Sequence, residues 1–275
     1  MRQIFQLSTA ILLILIGLNL TYAQDKMVDR LAVKFSNPDK PGFIKASLVN
    51  GGIFVEGYKG KEVIIEASTR SKKIISGRKA NGMIRIPVTT TGLTVEEEDN
   101  EMTITTESWK RTTDLNIRVP IKTSLQLHCV NAGDITVEKV NGELDIDNIN
   151  GKVTLTNISG AVVAHALNKD LIVTFDKIDS KKSMSFSTLN GDIDVTFPKK
   201  LKADVKLKSD NGEIYSDFEI KMSNKPRRII EENTRNRSGK YKIQIDKNVY
   251  GKINGGGQEI QFISFNGDIF IRYKK

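Results

Sequence analysis

The stretch NGELDIDNINGKVTLTNISGAVVAHALNKDLIVTF, residues 141–175, decides the fold. A glycine returns every nine residues, and apolar side chains stand two, four and seven places after it. Gly142 leads to Leu144, Ile146 and Ile149; Gly151 to Val153, Leu155 and Ile158; Gly160 to Val162, Ala164 and Leu167. Upstream, Gly133 leads to Ile135, Val137 and Val140, and a fifth copy puts Lys169 at the glycine place, before Leu171 and Val173. The first two apolar places have strand spacing and face one side. The third lies past a break in the alternation, so the chain turns there and still buries a side chain. Copies at a fixed period stack on one another, because none can bury its apolar side alone. The repeats are clearest over 131–175 and predict an all-β parallel solenoid of short strands, two units making one flattened coil of about 18 residues.

Asn-Gly pairs punctuate the pattern: Asn141-Gly142, Asn150-Gly151, Asn190-Gly191, Asn211-Gly212 and Asn266-Gly267, with Gly160 alone in its copy. The expectation is that these are structural turn residues, glycine accepting a positive φ and asparagine tolerating one. Asparagines at equivalent turns can also stack into hydrogen-bonded ladders. The same pairs would suit type I′ hairpins, which keeps an antiparallel meander as the structural rival.

Outside the repeats the pattern loosens. Residues 93–106 alternate on both sides of Glu98-Asp99-Asn100-Glu101 and predict a hairpin; 71–90, with Pro87, reads as an edge or loop. Residues 117–135 and 195–214 echo each other: strand, proline, basic turn, alternating strand, then Gly-acid-Ile. Residues 221–242 are dense in cations and read as a long basic loop. No convincing helical periodicity follows residue 23.

The chain opens with MRQIFQLSTAILLILIGLNLTYAQ, a charged start, a short apolar core and a small-residue cleavage site, which predicts a signal peptide over 1–23. The apolar run is about half the length a membrane span needs, so no transmembrane anchor is expected after cleavage. Residues 24–275 are then one elongated repeat domain in the periplasm or on the cell surface. Cys129 is the only cysteine, so no internal disulfide is possible. The net charge of +9 allows attraction to polyanions, but an exported address argues against nucleic acid.

The repeat form Asn-Gly-(Asp/Glu)-(Ile/Leu)-x-(Val/Ile), the paired Pro-turn-strand segments and the closing GGGQEIQFISFNGDIFI resemble the bacterial DUF4097 family of β-strand-repeat proteins, over residues 42–273. The resemblance implies an exported, β-helical protein. The family carries the provisional description of adhesins, and the resemblance transfers no catalytic residues.

No residue set carries recognisable chemistry. His165 occupies the place held by Glu138, Asp147, Thr156 and Thr174 in the other units, which reads as one exposed ladder. His128 and Cys129 are adjacent on a strand and face opposite sides, so they form no dyad. Asp145 with Asp147, and Asp192 with Asp194, share a face at a spacing that could help hold calcium, and paired acids also occur in glycan-cleaving enzymes; solvated acidic positions explain them more simply. No cofactor, metal site or catalytic residue is expected. Trp109 lies outside the repeats, while Tyr215, Phe218, Tyr250, Phe262, Phe265, Phe270 and Tyr273 gather toward the C-terminus, where core packing or capping is the default and an exposed patch would be a binding site. The expected function is a non-enzymatic, adhesin-like envelope binding module. Its alternatives are a periplasmic structural or sensory module with a protein partner and, more remotely, a polysaccharide-cleaving enzyme.

Overall fold

The computed structural model describes residues 28–70, 79–80, 83–84, 91–106, 111–179, 181–223, 229–234, 240–245 and 248–275. The expected signal peptide, Pro87 and Trp109 lie outside the described residues. No helix occurs among them.

The unit of the fold is a rung: a strand on a front sheet, a corner, and a strand on a back sheet. One rung runs Thr123–Asn131, turns, and returns as Ile135–Glu138. The next begins with Asn141–Asn148. The long strand Val153–Ala166 then serves two rungs, 153–156 lying on the back sheet and 159–166 on the front, with Asn157 (φ 55°) at the bend. Asn141 pairs with Ser159 and Val153 with Leu171, so the register advances by two nine-residue units per coil.

All rungs stack in parallel. The front sheet runs Glu101–Thr106, Gly42–Asn50, Thr123–Asn131, Asn141–Asn148, 159–166, Met184–Thr188, Gln258–Ser264, Ala203–Ser209. The back sheet follows the same order: Thr113–Pro120, Ile53–Tyr58, Ile135–Glu138, 153–156, Leu171–Ile178, Ile193–Phe197, Ile269–Tyr273, Ile214–Ser216. In the main sheet, antiparallel pairing is confined to the two ends. Leu93–Glu98 lies on Glu101–Thr106, the hairpin expected there; Glu62–Thr69 lies on Thr113–Pro120, and Val28–Lys34 on Glu62–Thr69. At the far end Val249–Ile253 lies on Ala203–Ser209 and Ile220–Met222 on Val249–Ile253. The antiparallel meander is thereby excluded for the repeats.

Spatial order departs from chain order at both ends. Rung 42–58 sits between 101–120 and 123–138, and rung 258–273 sits between 184–197 and 203–216.

Alternate side chains point inward and form one core. It is aliphatic around Ile44, Ile53, Leu125, Val137, Leu144 and Leu155, and phenyl-rich farther on, where Phe175, Phe186, Phe197 and Phe262 meet across the two sheets with centroids 5.2–6.3 Å apart. Each fully buried ring contributes about 1.5–3 kcal/mol.

Several expectations need correction. The Asn-Gly glycines are not required for a positive φ, which among them and Gly160 occurs only at Gly160 (φ 121°). They are required by close stacking. A Cβ on Gly151 would lie 1.9 Å from the Gly133 carbonyl oxygen, one on Gly267 2.0 Å from that of Gly191, and one on Gly142 2.3 Å from that of Thr123. The third apolar place also has two fates. After back-sheet strands it is buried, as at Val140 and Ile158. After front-sheet strands the residue before it, such as Asn148, is buried instead, and Ile149 and Leu167 sit half-exposed at the corner. The basic segment is not simply a loop: Ile229–Thr234 pairs antiparallel with Lys240–Ile245. Within 71–90, Lys79–Ala80 pairs with Met83–Ile84.

Candidate functional site

Parallel stacking turns each outward position into a row along the long axis, with about 4.8 Å between neighbours. The corner joining front to back carries the most regular rows. Asn150 donates to Asn131 at 2.8 Å, Asn168 to Asn150 at 2.9 Å, Asn190 to Asn168 at 3.0 Å, Asn266 to Asn190 at 2.8 Å and Asn211 to Asn266 at 2.8 Å. Two residues on (three after Asn131), a mainly acidic row, interrupted by Lys152, runs beside this amide ladder. Asp134 accepts the backbone N–H of Lys152, Asp170 that of Asp192, Asp192 that of Asp268, and Asp268 that of Glu213.

The residue three places before each corner glycine braces the turn from inside. Asn148, Ser264 and Ser209 accept the N–H of Gly151, Gly267 and Gly212, and Thr188 donates to the Gly191 carbonyl. Sequence reading missed this. The signal was present as Asn, Thr or Ser followed by one residue and then Asn-Gly.

The other side of the ladder is apolar except on the Asn211 rung, where Asp210 takes the place. Val49, Val130, Ile149, Leu167, Leu189 and Phe265 stand at equivalent corners, fixed by the register of the strands they end or follow. Val49 is 50%, Leu189 38% and Phe265 45% exposed. The corner is therefore a ridge with apolar, amide and carboxylate rows in parallel, each held by hydrogen bonds between rungs.

The remaining turn residues, Asn141, Gly142 and Gly160, lie on the opposite edge, at the starts of front strands. They line an open groove of about 500 Å³ with Lys122, Lys177 and Lys182, where Lys182 pairs with Glu143.

The expected single ladder through His165 is two rows on opposite sheets. The front row reads Ser47, His128, Asp147, His165, Ser187. His128 Nδ1 lies 2.9 Å from Asp147 Oδ2, and His165 Nδ1 lies 2.8 Å from Ser187 Oγ. The back row reads Glu56, Glu138, Thr156, Thr174, Thr196. A groove of about 380 Å³ on the front sheet gathers Lys45, Ser47, Gln126, His128, Asp145 and Asp147, with Gln126 donating to Asp145 at 3.0 Å. The order Ser47–His128–Asp147 has the composition of a hydrolytic triad. Thr123–Asn131 and Asn141–Asn148 are paired on both sides, so their backbone N–H groups are spent in the ladders and are not available to an oxyanion, whereas Gly42–Asn50 is paired with Glu101–Thr106 only as far as Ala46.

The paired acids separate in the same way. Asp145 and Asp147 face out from the front sheet, Asp192 stands in the corner row, and Asp194 faces out from the back sheet, where Arg272 Nε donates to it at 2.8 and 3.0 Å. Among the described residues no group of three or more His, Cys, Asp or Glu side chains is arranged to hold a metal ion. Cys129 is buried in the core beneath the corner, and burial, reinforced by the charges of Asp114 and Asp134, pushes its thiol up to about 12. Such a thiol is inert at neutral pH.

The C-terminal aromatics divide. Phe262 belongs to the core, and Phe218 is buried edge-on to Tyr273 at 5.4 Å. Tyr215, 51% exposed, stacks on Phe270 at the outer end of the back sheet.

No helix among the described residues is long and apolar enough to cross a membrane. The chain is similar to a solved structure from Clostridium sporogenes described as a "putative cell adhesion protein", at 12% identity and a TM-score of 0.49, with 90% of this chain and 100% of that one covered. It is also similar to one from Bacteroides fragilis described as a "putative adhesin", at 12% identity and a TM-score of 0.31, with 90% and 98% covered. No curated protein matches. The model of the family described as Toastrack DUF4097 matches residues 50–254, most of the chain, and the protein belongs to that family.

Proposed function

We propose that this protein is an exported, adhesin-like module that works by surface contact with the cell envelope or a neighbouring surface, and not by catalysis. The observation that carries this reading is the corner ridge. Val49, Leu189 and Phe265 expose apolar surface on a scaffold of amide and carboxylate ladders that cannot rearrange without breaking the hydrogen bonds between rungs. Rigid surface of this kind binds extended partners with little ordering cost. The polar grooves on the front sheet and the opposite edge are open, as befits contact with a polymer or a surface.

The test is saturable binding of the purified protein to isolated envelope material, with the triple substitution Val49→Ser, Leu189→Ser, Phe265→Ser as comparison. Binding that the triple substitution weakens tenfold or more is the expected result. Absence of any saturable binding removes the reading. The apolar row also favours a second reading, in which the ridge docks a protein partner in the periplasm. Protease shaving of intact cells separates the two, since protection until the outer envelope is opened leaves only the periplasmic one.

A further inference from the structure

The outer end of the back sheet carries a feature that the corner ridge does not explain. Asp194, Phe270 and Tyr215 occupy one outward row on successive rungs. The Tyr215 and Phe270 rings are nearly parallel, 9° apart with centroids at 5.2 Å. The Arg272 guanidinium covers Phe270, 5.0 Å from its centroid. It is fixed there by its two hydrogen bonds to Asp194. Among the described residues, Ile214–Ser216 pairs only with Ile269–Tyr273, so the stack stops at Tyr215. The far face of that ring is where the next rung would place a flat side chain, and no described strand supplies one. Exposed carboxylates stand on either side of Tyr215 in the chain, Glu213 and Asp217.

We infer that Tyr215, backed by Phe270, forms an end-on stacking site for a pyranose ring of a neutral polysaccharide, with Asp217 and Glu213 as hydrogen-bonding partners for its hydroxyls. The inference rests on the envelope-binding reading above and names a ligand class for it. An aromatic face offers the C–H side of a sugar the same contact it offers another ring. Carboxylates offer paired acceptors of the kind vicinal hydroxyls donate to. Arg272 is balanced by Asp194, and the exposed residues on either side of Tyr215, Glu213 and Asp217, are acidic, so an acidic polymer would meet like charge at the ring itself. A stack left open at the end of a rigid solenoid holds its ring in place before the ligand arrives, which limits the entropy lost on binding.

The experiment is affinity gel electrophoresis of the purified full chain through native gels containing laminarin, yeast mannan, dextran or galactomannan, with alginate as the acidic control. Wild type, Tyr215→Ala, Tyr215→Phe and, as a distant control, His165→Ala are compared, and thermal melting confirms that each is folded. The expected result is retardation by at least one neutral polysaccharide, weakened tenfold or more by Tyr215→Ala and kept by Tyr215→Phe and His165→Ala. Equal retardation of wild type and Tyr215→Ala overturns this site while leaving envelope binding intact. Retardation by alginate alone, abolished by salt, overturns the neutral-glycan assignment in favour of the basic surface. No retardation in any gel, together with envelope binding in the earlier assay, also overturns the site, whereas failure of both assays removes the general reading with it.

Discussion

The middle of the solenoid and its two ends are built from the same rung but by different routes. From 123 to 178 each rung lies on the one made just before it, and the spatial period equals the sequence period. At the ends, rungs 42–58 and 258–273 are flanked by segments distant in sequence, and antiparallel strands cover the outermost strands other than Ile214–Ser216. A repeat is legible only where stacking is sequential. Where a rung is inserted later, its neighbours are equally close in space and the sequence shows no period. The middle is locked by local geometry, while the ends depend on long-range pairing.

Deleting residues 258–275 tests this difference most severely. If the ends merely covered a self-sufficient middle, the remainder would melt cooperatively. The expected result is loss of the cooperative transition in circular dichroism, because Met184–Thr188 and Ile193–Phe197 lose their parallel partners and Phe262 leaves the phenyl cluster. A single methyl group tests the middle. Gly151→Ala places a Cβ against the Gly133 carbonyl and is expected to cost about 3 kcal/mol or more. At the end, Gly255→Ala meets nothing within 4 Å, only a φ of 90°, and should cost about 1–2 kcal/mol in urea titration. Equal costs would erase the distinction.

The amide ladder offers a finer comparison. Asn168→Ala removes bonds to both neighbours and should cost about 1–2 kcal/mol, whereas Asn211→Ala removes the terminal one and should cost about half as much. Chemical denaturation of the two variants side by side measures the ratio.

Acid should act first at the N-terminal end. Asp29 is held below its ordinary pKa by hydrogen bonds from the Thr91 hydroxyl and N–H, and Glu97 by the Ser36 N–H first, with the Ser36 hydroxyl and Asn100 N–H adding to it. Lys61 holds Asp39 down, and Lys139 holds Glu56 down, each by a hydrogen bond and then by charge. A carboxyl depressed in the folded state stabilises it fully above the ordinary value, and that contribution is lost as pH falls through the folded value. These groups are solvent-facing and the effect is small. Hydrogen exchange, corrected for its intrinsic pH dependence, should rise in 28–34 and 91–98 below pH 4 before it rises in 141–166. Simultaneous loosening would count against a separate end.

The sequence made the solenoid legible because glycine spacing and strand alternation are local. It could not reveal that rung 42–58 precedes its outer neighbour, since nothing in a strand records which distant strand it will meet. Glycine positions were readable but their cause was not: a stacking carbonyl and a positive φ both select glycine. The same limit applied to the site. Asp147 and His165 share a repeat position with Glu138 and Thr156, and only the alternation of units between sheets separates them. Part of the corner row, Ile149 and Leu167, is visible as the apolar residue seven places after glycine, but its exposure depends on which corner the chain is rounding. Tyr215 and Phe270 belong to the C-terminal aromatic cluster of the sequence; their stacking requires the insertion of rung 258–273.

That insertion has a kinetic consequence. The slot between 184–197 and 203–216 must stay open while the intervening chain is made, and it is filled by residues some 76 positions downstream of their partners, as for Asp268 and Asp192. Closing so long a loop before any contact rewards it makes this the slow step. During synthesis the half-built stack keeps a sticky, unsatisfied edge. A nascent chain of this kind stays open at that edge until residues 258–273 emerge and the last inserted rung closes the stack.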